Sequence, residues 1–336
     1  LVGMAMLFLV SREKEDLLLY VALTAATGLL GNISMWGYLK GQVEKPVLKE
    51  LRPLRHLKET LVYFIPTIAT SVYTILDKTM LGWFSGENKS QNGYYEYATG
   101  FVNMAKILIM SFNAVMSARM SYLFGTGRME EIHKRFQDSL DFVLLMAMPI
   151  MLGLAGIAAQ FIPWFLGNGY LPVTFLMYVC SPLVLVVGLS DCIGSQILTP
   201  GGKRAQSGKV IVAGAMVNAC LNFLLIPHFA ALGAAAASVA AECFITSLYL
   251  WLGRDFIKLK MLVRYGWRRL VAAVIMLGAV VWTGQFLEQV RGLGPITTFI
   301  QIGAGAVVYF LVLLVMRDPF LYQYLGKIYR RLTGQP

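Results

Sequence analysis

Charge is scarce in this chain. Of its 336 residues only 14% are charged, against 57% hydrophobic, and the mean hydropathy is +0.63. Soluble domains carry roughly 25% charged residues, so the composition excludes an ordinary water-soluble protein and implies an integral membrane one. Cysteine is sparse too. Cys180, Cys192, Cys220 and Cys243 all fall in apolar runs without CxxC or other ligand spacing, so they read as small apolar residues. His56, His133 and His228 are scattered and form no metal-site pattern. A nucleotide-binding loop is missing as well: Gly201-Gly202-Lys203 lacks the upstream glycine and the following Ser or Thr of a P-loop. No connection is long enough to hold a catalytic domain, and no Ser-His-Asp arrangement is supported. The sequence therefore implies no cofactor and no enzyme; any transport is secondary or uncoupled.

Long apolar runs are abundant. About nine are long enough to span a bilayer, near 17–38, 60–84, 95–124, 139–166, 172–199, 209–228, 232–252, 270–288 and 296–316. The stub 1–10 is too short to cross and lacks the basic start and cleavage site of a signal peptide. Of the 29 Lys and Arg, 22 lie in the connections 39–59, 125–138, 200–209 and 253–269 and in the tail after 316, and four in the alternate connections. By the positive-inside rule the first set is cytoplasmic, as is the C-terminus. The net charge of +11 is thus a topology signal and requires no nucleic acid. The basic connection 39–59, interrupted by Pro46 and Pro53, reads as a hinge between two bundles. The segments 253–269 and 319–332 are amphipathic and suit the headgroup region. Pro66, Pro149, Pro163, Pro182 and Pro200 mark kinks, and the small-residue run 233–241 permits close helix approach.

Several spans carry polar residues that lipid alone would not tolerate, since a charge at mid-bilayer costs roughly 2.5–3.5 kcal/mol even on the lenient insertion scale. In 61–84, Tyr63, Thr67, Thr70, Ser71, Thr74 and the pair Asp77-Lys78 recur at helical spacing. In 95–124, Thr99, Asn103, Lys106, Asn113 and Ser117 share one helix face, a stripe with a single cation suited to a phosphate or carboxylate. The structural alternative is a Lys106–Asp77 pair across a tight hairpin. Arg119 lies nearly opposite Lys106 on the helix and within a turn of the loop, where it either meets a headgroup or snorkels. Glu242, flanked by Ser238 and Thr246, reads as a proton- or ion-coupling group or as a carboxyl bonded to a neighbouring helix, and so does Asp191 beside Ser190 and Ser195. Asn218 and Asn222, four apart, read as helix–helix contacts.

The stretches HLKETLVYFIPTIATSVYTILDKTMLGWF (56–84), ARMSYLFGTGRMEEI (118–132) and VAGAMVNACLNFLLIPHFAALGAAAASVAAE (212–242) resemble the polysaccharide transporter family of flippases (Wzx-type), within the superfamily that also holds drug-and-toxin exporters and peptidoglycan-precursor flippases. Ala118, where the family pattern has Pro, is a departure. The resemblance implies an all-α polytopic membrane protein with a MATE-like two-lobe helical bundle. It places the end of the fifth span and the sixth in 1–38, the inter-lobe linker in 39–59 and the C-terminal lobe in 60–252. A cytoplasmic connection follows at 253–269, a peripheral helix pair at 270–316 and a cytoplasmic tail at 317–336. The N-terminal spans would then precede Leu1. The implied activity is movement of undecaprenyl-pyrophosphate-linked oligosaccharide across the bacterial cytoplasmic membrane by alternating access, with other glycan-assembly proteins as possible partners. On that basis Lys78, Lys106 and Arg119 would receive pyrophosphate, and Asn103, Asn113, Thr70 and Thr74 would bond sugar hydroxyls. Asp77, Asp191 and Glu242 would act as counter-ions or coupling groups. The rivals are a peptidoglycan-precursor flippase and a cation-coupled drug exporter. Three bases matched to three carboxylates favour an anionic ligand over a drug cation.

Overall fold

The computed structural model describes residues 17–37, 57–84, 86, 90–257, 259–323 and 326; most of the expected hinge 39–59 and the tail from 327 lie outside them. Every regular element among the described residues is a helix. In chain order these are α1 (Leu17–Trp36), α2 (Leu57–Phe84), α3 (Ser90–Gly125), α4 (Met129–Phe165), α5 (Leu171–Cys180), α6 (Leu183–Ile193), α7 (Arg204–Leu252), α8 (Leu259–Arg291) and α9 (Pro295–Val315). The chain divides into two compact units, Leu1–Lys58 and Glu59–Pro336. The first contributes α1, an uncharged helix of 20 residues, about 30 Å long at 1.5 Å per residue.

In the second unit α4 is the hub, packing against α3, α5, α6, α8 and α9. Among the described residues five helices are long and apolar enough to cross a membrane, namely α3, α4, α7, α8 from Gly266, and α9. The pair α5–α6, bent by 42° about Ser181-Pro182, makes a sixth crossing if taken as one span. Pro182 has no N–H to donate, which frees a carbonyl and permits the bend. After Ile193 the helix widens into a π-helical turn, Gly194–Leu198, closed by Thr199 N–H on the Gly194 carbonyl at 2.9 Å.

Helix α7 contains 49 residues, about 73 Å if straight and twice a bilayer core. It is instead two arms reversing at Ala230 (φ 47°, ψ −126°), three residues after Pro227. Contacts at increasing distance from that point show the arms to be antiparallel: Gly214 faces Ile245, and Ser207 Oγ bonds Tyr249 OH. The run of small residues lets the arms close. A Cβ on Gly233 would stand 2.5 Å from the Leu225 carbonyl oxygen, so backbone packs on backbone there.

The hairpin α8–α9 is fastened to α4 at both ends. At one end Arg269, 0% exposed, donates through Nε to Asp318 Oδ2 (3.2 Å) and through Nη1 to Asp141 Oδ1 (2.9 Å) and the Asp141 carbonyl (2.8 Å). Asp318 Oδ1 also accepts the backbone N–H groups of Phe320 and Leu321, each at 3.1 Å, capping the turn after α9. At the other end Trp164 Nε1 donates to Thr298 Oγ1 (2.9 Å) and Gln301 Nε2 to Gln160 Oε1 (3.3 Å). Between them Gly156 of α4 and Gly305 of α9 both leave room for Val280 of α8.

Arg269→Met strands two carboxylates beside one another. It is expected to lower stability by about 3–5 kcal/mol, the usual cost of removing one partner of a buried pair, read as the unfolding midpoint in detergent. Gly233→Val forces the arms of α7 apart and is expected to cost about 1–3 kcal/mol by the same assay, with helix content by circular dichroism retained.

Candidate functional site

Two polar cavities open inside the second unit. The first, about 120 Å³, lies among α2, α3, α6 and the second arm of α7 and is lined by Asp77, Lys78, Tyr95, Glu96, Thr99, Asn103, Lys106, Ser238 and Glu242, with Val102, Leu183 and Val187 as its apolar wall. The second, about 350 Å³, lies among α3, α6, the π-helical turn and both arms of α7. Its wall includes Ser190, Asp191, Ser195, Thr199, Arg204, Ser207, Glu242 and Tyr249. Glu242 and Val187 belong to both walls.

Asp77 anchors the first cavity. Only 2% exposed, it accepts the Tyr95 hydroxyl (2.9 Å) and the Ser238 hydroxyl (2.8 Å) on Oδ2, and the Asn222 amide on Oδ1 (2.5 Å). Asn222 Nδ2 also reaches Asn218 Oδ1 at 3.0 Å. A carboxylate out of water needs donors for its oxygens, and here α2 draws them from α3 and from both arms of α7. Asn222 does join helices, as the spacing of the pair implies, by bonding Asp77 of α2, whereas Asn218 bonds Asn222 within its own arm of α7. The Lys106–Asp77 pair raised by the sequence is not formed within 4 Å, because neutral donors occupy the carboxylate.

The expected cations are distributed differently from the expected pattern. Lys78 and Lys106 do line one cavity, each with a carboxylate beside it in the wall: Lys78 is ion-paired to Glu96, and half-buried Lys106 faces the same space as Glu242. Arg119 does not join them. It sits at the far end of α3 and pairs with Glu131 of α4 at 3.4 Å, where Arg128 and Arg135 also approach that carboxylate. The polar stripe of α3 likewise splits. Thr99, Asn103 and Lys106 line the first cavity, whereas Asn113, 0% exposed, donates to Asp191 Oδ2 (2.9 Å) and the Gly188 carbonyl (3.2 Å), and Ser117 Oγ donates to the Ser195 carbonyl (2.9 Å). Asn113 is therefore a buried brace against α6, which corrects its reading as a substrate-facing amide. The side chains of Thr70 and Thr74 lie outside the described residues. Asp191 opens on the second cavity and Glu242 on both.

Sequence reasoning missed Tyr95 and Glu96, which lie just before the stripe and keep its helical phase, so extending the face one turn toward Ser90 would have found them. It also missed the π-helical turn, for which Gly194 is the sole local signal.

Residues 32–175 match the family described as polysaccharide biosynthesis protein. Among curated proteins, the chain is 24% identical over 250 residues to an Escherichia coli (strain K12) protein named as an O-antigen transporter, covering 74% of this chain and 60% of that one. It is 23% identical over 313 residues to the Haloferax volcanii protein Agl15, named as a low-salt glycan biosynthesis flippase, covering 92% of this chain and 63% of that one. The chain thus spans about three-fifths of the length of these relatives. In structure it resembles the lipid II flippase MurJ in an inward closed conformation, with a TM-score of 0.66 over 94% of this chain and 65% of that chain; at 17% identity this establishes the fold alone. The chain is thus similar in sequence to polysaccharide biosynthesis and glycan-transport proteins, and it shares the fold of MurJ.

Proposed function

We propose that the protein moves undecaprenyl-pyrophosphate-linked oligosaccharide units across the bacterial cytoplasmic membrane by alternating access, with its C-terminus on the cytoplasmic side. The observation that carries this reading is a charged, hydroxyl-bearing cavity enclosed in an otherwise apolar helical bundle, with Lys106 on its wall and a carboxylate at its base. Lys106, supported by Lys78, attracts the pyrophosphate; Asn103 and Thr99 bond its oxygens or the first sugar. The isoprenoid tail stays in lipid. Glu242 is the resting counter-ion of Lys106, released when the phosphate arrives. Asp77 is the coupling group, because it joins α2, α3 and both arms of α7 at one point, so adding a proton or cation there changes three contacts at once. The basic connections favour cytoplasmic loops open to glycan-assembly proteins. The protein performs no covalent chemistry on its cargo.

The test is a proteoliposome assay of the full-length protein with a fluorescent undecaprenyl-pyrophosphate oligosaccharide, a cationic dye serving as control substrate. Wild type is expected to move the lipid, and Lys106→Ala to slow it about tenfold or more, the loss of one charge-assisted contact of about 1.5–3 kcal/mol. Dye transport without lipid movement would move the protein to the exporter branch. In the same assay Asp77→Asn, which keeps shape and one acceptor oxygen but removes the charge, is expected to abolish the dependence of transport on an imposed ion gradient, with binding of the lipid retained. Gradient dependence surviving in Asp77→Asn would remove Asp77 from the coupling role.

A further inference from the structure

Apart from Glu242, which faces both spaces, the residues of the second cavity have no part in the roles assigned above, although it is the larger of the two. At about 350 Å³ it lies near the lower end of small-molecule pockets, which run from roughly 300 to 1,000 Å³. That is room for a sugar ring with its substituents, and far too little for a repeat unit with its lipid.

Its chemistry is selective. Asp191 is held in place from behind: Oδ2 accepts the buried Asn113 amide, and Asn113 is itself fixed by the Gly188 carbonyl and by Gln196 Nε2 donating to its Oδ1 at 3.2 Å. Asp191 Oδ1 has no hydrogen-bond partner among the described residues, and the residue lines the cavity. Beside it Ser195 lends its carbonyl to Ser117, while its own Oγ is without a partner among the described residues. The carboxylate therefore has one oxygen committed to the fold and one available. An ionised carboxylate only accepts, so whatever fills the cavity must bring donors. Asp191 presents its open oxygen directly to the space, so a carboxylate brought beside it is repelled. Ile211 and Ile245 complete the wall with an apolar surface suited to the C–H face of a ring.

We propose that this cavity is a subsite for one uncharged, polyhydroxylated sugar unit of the carried glycan, with Asp191 as its specificity-determining residue. The inference rests on the flippase reading for the presence of a glycan and adds which sugars are accepted. Asp191 Oδ1 accepts from a ring hydroxyl, or from two adjacent ones, and the wall rejects a sugar that carries a carboxylate.

Two measurements separate the subsite from the flippase reading. In proteoliposomes, two lipid-linked disaccharides identical in lipid and pyrophosphate are compared, one ending in glucose and one in glucuronate. Wild type is expected to move the neutral probe about tenfold faster, a discrimination of about 1.4 kcal/mol. Asp191→Asn, which removes the charge and keeps an acceptor, is expected to bring the two rates within about threefold with an unchanged melting temperature. Equal rates in wild type, or an unchanged ratio in Asp191→Asn, overturn the subsite and leave the flippase reading standing. Independently of transport, saturation-transfer NMR on the protein in nanodiscs is expected to show methyl glucoside bound and methyl glucuronide unbound, the glucoside signal being lost in Asp191→Ala. Glucoside binding without movement of either lipid would overturn the flippase reading alone. Absence of glucoside binding, or its survival in Asp191→Ala, overturns the subsite.

Discussion

A carboxylate that must be kept inside an apolar bundle organises this lobe. Asp77 cannot be hydrated where it sits, so its oxygens are satisfied by Tyr95, Ser238 and Asn222, and each donor fixes a different stretch of chain. Asn222 and Ser238 are equidistant from Ala230, eight residues before it and eight after, so the reversal of α7 brings both to the same carboxylate. The positive φ at Ala230 is a strained state for a residue with a Cβ, of the order of 1–2 kcal/mol, and the packing of the two arms and their shared hold on Asp77 offset it. The small residues after Ala230 serve the same geometry, since bulkier ones would hold the arms beyond the reach of a hydroxyl and an amide.

Most of the nine apolar runs were legible because hydropathy over a bilayer's thickness is a strong signal, but 172–199 breaks into α5, α6 and the π-helical turn, and 209–228 and 232–252 are the two arms of one helix, α7. Helix ends were not legible: α4 begins at Met129, ten residues before its apolar run, because backbone hydrogen bonding continues after the chain leaves hydrocarbon. The polar residues of the site were legible one helix at a time. Periodicity gives the face of α3 that carries Thr99, Asn103 and Lys106, yet it says nothing of which helix that face meets. Hence Lys106 pairs on paper with Asp77, which a tight hairpin about residue 89 brings opposite residue 102, whereas Asp77 is held by α7, more than 140 residues further on. Asn113 was misread for the same reason: its phase on α3 matches the stripe, but the π-helical turn after α6 brings Gln196 and Asp191 against it.

The carboxylates differ in how much of their bonding capacity the fold consumes, and this separates roles that composition alone would merge. Asp77 has donors on both oxygens and is closed to any ligand larger than a proton or a small ion unless the lobe opens. Asp191 has one oxygen used and one free toward a cavity. Glu242 faces both cavities and shares one of them with Lys106. A bonded network of this kind holds one arrangement until a competing ligand or ion supplies an alternative partner, and the energy at stake is that of a few charge-assisted hydrogen bonds, each about 1.5–3 kcal/mol. On the proposed alternating-access reading, that scale is large enough to bias a two-state bundle and small enough to be reversed in every cycle.

The rigid part of the lobe lies away from these groups. Arg269 with Asp141 and Asp318 holds α8 to α4 and to the turn after α9, and the polar contacts of Gln160 and Trp164 close the other end of that hairpin. A buried ion pair of this kind is costly to assemble and more costly to break by halves, so it suits a joint that stays shut. The cavities, by contrast, are bounded on one side by α6 just after its bend, a π-helical turn and the reversed α7, places where regular helix has been given up. Carbonyls loosened at such breaks can exchange partners with a polar cargo, which regular helix in lipid cannot do. On the proposed transport reading, passage of a glycan is therefore expected to rearrange α6 and α7 around Asp77 while α4, α8 and α9 move as one body.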